Sequence, residues 1–301
     1  MKSAVLFLVF NRPDTTRQVF EAIRLAQPPR LYIAADGPRP QRDGEAERCA
    51  VTRQIASAVD WPCEVTTLFR EENLGCKRAV SSAITWFFEH EEQGIILEDD
   101  CLPAQSFFWF CDEMLEKYKN DTRIWQISGS TFFPEAITKS DSDYFFTRYG
   151  PIWGWASWRR AWQYYDPDLK DWPEMSKMGV MENVYPDKSE RSSKLALGTK
   201  LFNLEIDTWD YQWGFTKNFN HALTIVPKHN QIVNIGFGDD ATHTIEINHK
   251  APKKSFEMLV INHPNFIFCD RFHQNIYAKN NFRKRSIILR FFSKIYSLIS
   301  S

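Results

Sequence analysis

Gly94-Ile95-Ile96-Leu97-Glu98-Asp99-Asp100, residues 94–100, runs a short apolar strand straight into three consecutive carboxylates. Adjacent carboxylates at a strand end repel one another, so water, hydrogen-bond donors or a hard divalent cation must absorb the charge. In an open α/β sheet, ligands bind in the crevice outside the carboxyl ends of the strands. A Mg²⁺-like ion there would be held by one or two carboxylates and completed by water and substrate phosphates, which makes a diphosphate the natural ligand. The competing reading is a solvated acidic turn.

Outward from this stretch, the first 130 residues alternate strands and helices, the pattern of a parallel sheet covered on both faces. Ala4–Phe10 is a continuous apolar strand, and Asp14 or Thr15 caps a helix carrying Val19, Phe20, Ile23 and Leu25 at helical spacing. Strands follow at Leu31–Ala35, Cys63–Phe69 and Ile124–Ser128, with helices at 45–59, 76–89 and 103–118 between them. Three strand ends carry polar or special-geometry residues: Asn11-Arg12-Pro13, Asp36-Gly37-Pro38 and Glu98-Asp99-Asp100. A parallel sheet sets such ends on one rim, so the three turns are expected to line one pocket. No G-x-G-x-x-G or G-x-x-x-x-G-K-[ST] pattern is present, which removes the best signatures of dinucleotide oxidoreductases and P-loop enzymes.

The second half is aromatic and irregular. Residues 149–162 gather Trp153, Trp155, Trp158 and Trp162 around Gly154, whose place suggests a close backbone approach. Trp155, Trp158 and Trp162 have helical spacing and could form one core stripe, whereas Trp153 and Trp155 beside Gly154 could be platforms for a sugar or base ring. Further on, Asp207 and Asp210 lie three apart among aromatics, on one face if the segment is helical. A carboxylate short of hydration suits general-base work, and a helix cap or an ion pair is the alternative for either. Residues 235–243, with Gly236, Gly238 and His243, read as a hinged loop able to close over a ligand.

Composition bounds these readings. The chain has 301 residues, 43% hydrophobic and 25% charged, with a net charge of −1, so no global field favours nucleic acid. Six Cys without a C-x-x-C pair argue against a zinc site or a disulfide scaffold and suit a reducing cytoplasm. The apolar start breaks at Asn11-Arg12-Pro13-Asp14 and reads as the first buried strand rather than as a signal peptide. No stretch reaches the about 18–20 apolar residues needed to span a bilayer.

With these residues in hand, the chain resembles nucleotide-sugar glycosyltransferases of the GT-A fold, in particular the bacterial relatives of N-acetylglucosaminyltransferase I, over residues 1–245. The resemblance rests on Ile95–Pro103, the aromatic helix from Ser106, the strand at Trp125–Ser128, Asp36, Gly154-Trp155 and Trp209-Asp210. It implies an α/β fold, a Rossmann-like, mostly parallel mixed sheet with helices on both faces. It further implies a nucleotide-binding half at 1–130, an acceptor and catalytic half at 131–245, and a C-terminal extension at 246–301.

In that family the acidic triplet plays the D-x-D part. Carried over, Asp100 is the ligand of Mn²⁺ or Mg²⁺, and Glu98 and Asp99 contact the nucleotide. Asp36 meets the base, Asn11 and Arg12 begin the nucleotide pocket, and Trp155 lies beneath the donor sugar. Trp209-Asp210 supplies the catalytic base, Asp210, of an inverting transfer from a nucleotide-diphosphate sugar, a UDP-sugar favoured, to a glycan or lipid-linked acceptor. His243 is a metal ligand or a diphosphate contact. The alternatives are a sugar nucleotidyltransferase, which would normally carry a Gly- and Arg/Lys-rich loop after its first strand, and a non-catalytic carbohydrate-binding protein.

The last residues form a basic amphipathic tail. From Arg271 onward there are Lys279, Arg283, Lys284, Arg285, Arg290 and Lys294 and no acid, interleaved with apolar residues. Residues 282–301 suit the surface of an anionic leaflet, at the inner face of the membrane, or else dock on the catalytic domain as a last helix or mediate oligomerisation.

Overall fold

The computed structural model describes residues 1–133, 141–236 and 252–282. Its first half repeats strand and helix: β1 (Ala4–Val9), α1 (Pro13–Ala26), β2 (Arg30–Ala35), α2 (Glu45–Ala56), β3 (Glu64–Phe69), α3 (Gly75–His90) and β4 (Gln93–Glu98). Then come β5 (Cys101–Pro103), α4 (Gln105–Lys117), β6 (Ile124–Ser128), β7 (Tyr144–Thr147), β8 (Trp155–Trp158) and α5 (Arg159–Trp162). Helices α6 (Trp172–Met175), α7 (Met178–Val184), α8 (Lys188–Phe202) and α9 (Asp210–Phe219) precede β9 (Leu223–Pro227), β10 (Ile232–Asn234) and α10 (Arg271–Asn281).

Eight strands form one sheet in the order β3-β2-β1-β4-β8-β6-β9-β7. β1 pairs in parallel with β2 and β4, β2 with β3 and β6 with β9, while β8 and β7 run against their neighbours. This is the mixed, mostly parallel, Rossmann-like α/β sheet that the alternating pattern predicts. Continuous apolarity in β1 follows from burial on both sides. Val5, Phe7 and Val9 pack with Val19, Phe20 and Ile23 of α1, and Ala4, Leu6 and Leu8 pack with Ala83, Ile84 and Phe87 of α3.

The tryptophan segment departs from the helical expectation. Trp155 and Trp158 lie on a strand, where residues three apart point to opposite faces. Trp155 therefore joins Trp162, Trp209 and Trp213 on one face, and Trp158 joins the α4 side. Strand β8 runs antiparallel between β4 and β6, so its flat aromatic side chains fill both layers. Gly154 just before it has φ +57°, and a Cβ there would lie 2.4 Å from Ile232 Cδ1, which is the close approach inferred from sequence.

A third apolar cluster, Leu169, Trp172, Met181, Tyr185, Leu201 and Phe215, ties α6, α7 and α8 to α9. Beside it Arg148 pairs with the fully buried Glu190, which also accepts from Tyr149 at 3.2 Å. On α9, Lys217 is buried and donates to Gln126 and, at 2.7 Å, to Thr224 Oγ1. Burial, assisted by the charge of Lys194, pushes its amine down to about 7 from an ordinary 10.5. Between these two values the unfolded chain holds a proton that the folded chain has released. Stability should therefore rise with pH across that window, by up to about 1.4 kcal/mol per unit, and be flat below it. Urea denaturation of the wild type and Lys217→Met from pH 6 to 9.5 should show this increment in the wild type and lose it in the variant.

The segment from Pro252 straps the β7 edge of the sheet. Glu257 accepts from Gln105 and Ser106 N–H at the start of α4, Asp143 and Asn262 bond reciprocally, and Cys269 bridges to Phe146 in β7. Thus residues 252–282 of the predicted extension complete the sheet's flank. The 245/246 boundary, and the part of the tail beyond Phe282, lie outside the described residues.

Candidate active site

Because β1 to β4 are parallel, their carboxyl ends share one rim, and a cavity of about 810 Å³ opens there. That volume lies in the range of pockets that take a small ligand. Arg12 follows β1, Asp36 follows β2, Arg70 follows β3, and Glu98, Asp99 and Asp100 close β4; all of them line the cavity. The lining is completed by Trp153, Leu197 of α8, the segment Ile206–Tyr211, and Asn234 and Gly236, the last close against Asp100 and Arg12. The convergence of the strand ends on one pocket therefore holds for Arg12, Asp36 and the acidic triplet. Asn11 is the exception: its side chain donates to Glu45 at 2.9 Å and stays outside the lining.

Within the triplet the three carboxylates have different surroundings. Asp99 is almost fully buried; it accepts from Phe10 N–H at 3.2 Å and pairs with Arg12 Nη2 at 2.6 Å. Asp100 meets Arg12 Nη1 at 3.0 Å, and its carbonyl accepts from Ile235 N–H at 2.8 Å. Glu98 has an oxygen, Oε1, that is buried and without a hydrogen-bond partner. Burial first, then the charges of Asp100 and Asp99, hold the Glu98 carboxyl well above the ordinary carboxylate range. Asp99 is raised too, by burial, with the charge of Arg12 opposing. The cation that the sequence demands at this strand end is thus partly built in, as Arg12.

Asp36 sits at the turn into α3. It accepts from Leu74 and Gly75 N–H and from the Asn73 amide, all within 3.1 Å. Burial pushes its carboxyl up while these backbone donors pull it down. Asp36 thereby fixes the loop between β3 and α3 and keeps a place on the cavity wall.

Asp207 and Asp210 do different things and share no helix face, since α9 begins at Asp210. Asp207 accepts from Cys76 and Lys77 N–H, at 3.0 and 3.1 Å, and so caps α3 from a distant segment. Gly75 with φ +77° makes room, since a Cβ there would lie 2.7 Å from the Asp207 carboxylate. Removing this cap by Asp207→Ala should lower stability by about 0.5–2 kcal/mol. Thermal and urea denaturation of the wild type and the variant would check this loss. Asp210, at the first position of α9, accepts from Thr208 Oγ1 and lines the cavity.

The ring-platform expectation fails for Trp155. Its indole is fully buried, stacked on Trp209 with centroids 5.7 Å apart, and it is absent from the cavity lining. Trp209 is also nearly buried but reaches the wall, and Trp153 offers the more accessible ring. Sequence reasoning missed Arg70, Arg39 and Cys76, all on the lining. Arg70 immediately follows Phe69 at the end of β3, so the strand-end rule applied to that strand would have found it.

A divalent ion is implied by the D-x-D resemblance, and the donor set bears on it. Among the described residues no group of three or more His, Cys, Asp or Glu side chains could hold a metal. Asp100 on the wall, with the partnerless Glu98 oxygen nearby in sequence, instead suits an ion that phosphates and water complete. His243 and the loop beyond Gly236 lie outside the described residues.

Fold and site together define an open α/β protein with an acid-lined ligand cavity at the carboxyl rim of its sheet. No family model and no curated protein matches the chain. Among solved structures it is similar to HddC from Yersinia pseudotuberculosis, at 10% identity and a TM-score of 0.34, over 57% of this chain and 86% of that one. It is also similar to mouse xyloside xylosyltransferase 1 in its apo form, at 10% identity and a TM-score of 0.33, over 72% of this chain and 81% of that one.

Proposed function

We propose that this chain is a metal-dependent, inverting glycosyltransferase of GT-A type. It would move a sugar from a nucleotide-diphosphate donor, a UDP-sugar favoured, to a glycan or lipid-linked glycan acceptor. The observation that carries this reading is the placement of two acidic functions on different elements of one cavity. The Glu98-Asp99-Asp100 triplet closes β4, and Asp210 opens α9, and both line that cavity.

In this reading Asp36 and Arg12 frame the nucleotide end. Mn²⁺ or Mg²⁺ bound at Asp100 would supply the Lewis acid that stabilises the departing diphosphate. Glu98 and Asp99, on the same rim, would contact the nucleotide. Asp210 accepts the proton of the acceptor hydroxyl as its oxygen bonds to the anomeric carbon. The bond from that carbon to the diphosphate oxygen breaks on the opposite face, so configuration inverts.

The rival readings find less support. In place of a basic, glycine-rich loop after β1, the turn is Asn11-Arg12-Pro13, with Arg12 committed to Asp99 and Asp100. Most of the 11 Trp are core residues rather than an exposed sugar-binding face. Calorimetry with UDP and other nucleoside diphosphates, with and without Mn²⁺, tests the proposal. Binding that strengthens at least about tenfold with metal and weakens in Asp100→Ala is expected; no binding of any nucleoside diphosphate would sink it.

A further inference from the structure

Asp100, the residue proposed to take the divalent ion, has both carboxylate oxygens engaged. Oδ2 accepts from Arg12 Nη1 at 3.0 Å, and Oδ1 accepts from the Cys101 thiol at 3.4 Å. The residues after β10 cover the same pair. Ile235 N–H donates to the Asp100 carbonyl at 2.8 Å, and a Cβ on Gly236 would lie 2.4 Å from Asp100 Oδ2 and 2.6 Å from Arg12 Nη1. A Mg²⁺-like ion draws its oxygens to about 2.0–2.1 Å, and two cations on one oxygen repel, so the ion and the guanidinium compete for Oδ2.

The two arms of Arg12 are held differently. Nη2 meets Asp99 Oδ1 at 2.6 Å, and Asp99, only 3% exposed, also accepts from Phe10 N–H. Nη1 meets Asp100, whose side chain is 13% exposed on the cavity lining. The Asp99 contact is the anchor, because breaking it strands a buried charge, and the Asp100 contact is the exchangeable one. A planar guanidinium also matches phosphate oxygens, so an arm released from Asp100 has a partner in a diphosphate bound beside it.

We propose that the Arg12–Asp100 pair is a latch that metal and diphosphate open together: the ion takes Asp100, while Arg12 keeps Asp99 and turns its other arm to the diphosphate. This rests on the reading of Asp100 as the metal ligand of a nucleotide-diphosphate enzyme. Its consequence is that the ion alone binds the free protein poorly, and that each ligand raises the affinity for the other by the same factor.

The test measures Mn²⁺ binding to the full chain without nucleotide, from the loss of the free ion's paramagnetic resonance signal, and UDP binding by calorimetry. Arg12→Gln should bind Mn²⁺ alone at least about tenfold more tightly than the wild type, and Arg12→Lys, which keeps a cation for Asp99 without the fork, about threefold. Adding Asp100→Ala should abolish either gain. The factor by which UDP strengthens Mn²⁺ binding should shrink correspondingly. Thermal melts establish that each variant is folded, and Arg12→Lys carries the test where Arg12→Gln is not. Arg70→Gln removes a charge from the same lining, one whose acidic neighbour is Asp36. An equal gain there would overturn the proposal by making the effect one of general field, and so would unchanged Mn²⁺ affinity in both Arg12 variants. A wild type that binds no nucleoside diphosphate would instead defeat the enzymatic reading, whereas the Mn²⁺ gain at Asp100 reads the latch independently of it.

Discussion

Asp210→Asn is expected to lower the rate of sugar transfer by roughly 10²–10⁴ while leaving nucleotide binding nearly unchanged. The substitution keeps the shape of the side chain and an oxygen able to accept from Thr208, but removes the ability to take up a proton. Asp210 is on α9, whereas the residues proposed to hold the diphosphate close β4. The loss should therefore fall on kcat, about 3–5 kcal/mol of transition-state stabilisation, with KM for the donor moving little. Steady-state kinetics with donor and acceptor varied separately would read this split, and calorimetry with the nucleotide would confirm intact binding. Asp207→Asn is the matched control, because that carboxylate is committed to the α3 N–H groups. Full turnover in Asp210→Asn would remove the general-base assignment; an equal loss in Asp207→Asn would point to disturbed packing between α3 and α9.

The contrast between these two aspartates also shows what the chain discloses before it folds. Strands β1 and β4 are legible because both faces are buried and the apolar run is unbroken, and the rim follows from their parallel pairing. Single-strand reasoning placed Arg12, Asp36 and the acidic triplet in one pocket for that reason. It could not see that Arg12 is the counterion of carboxylates 87 and 88 positions away, or that Asp207 caps a helix 131 positions earlier. Such partners are set by tertiary docking and leave no local period. Trp155 and Trp158 are core residues, as one reading of their spacing allows, but on two faces rather than one stripe: over four residues a spacing of three also fits a strand, whose two faces need large side chains here. Cavity exposure, likewise, is a property of neighbours, which is why Trp153 lines the cavity while Trp155, two residues on, is buried beneath it.

Arg12→Met should destabilise the fold by up to about 3–5 kcal/mol above neutral pH, and by much less near pH 5. The guanidinium, itself 20% exposed, bridges Asp99 and Asp100, and Asp99 is only 3% exposed, so its loss strands a buried carboxylate with one backbone donor from Phe10. The sign of the pH dependence follows from the raised Asp99 carboxyl. From the ordinary aspartate range up to its folded value, the folded chain holds a proton that the unfolded chain has lost, so stability falls as pH rises through that window. Without Arg12 the folded value climbs further, and the fall extends to higher pH. At pH 5 the protonated Asp99 needs no counterion, which is why the variant's deficit shrinks there. Urea denaturation of wild type, Arg12→Met, Asp99→Asn and the double variant at pH 5 and pH 8 completes a cycle. A coupling above about 1 kcal/mol at pH 8 that largely disappears at pH 5 is expected. A deficit under about 1 kcal/mol at pH 8 would mean that solvent, rather than Arg12, absorbs the charge at the end of β4. The acidic triplet would then be the open, hydrated turn that competes with a cation site from the outset, and Asp100 would meet a diphosphate-bound ion without first giving up an internal partner.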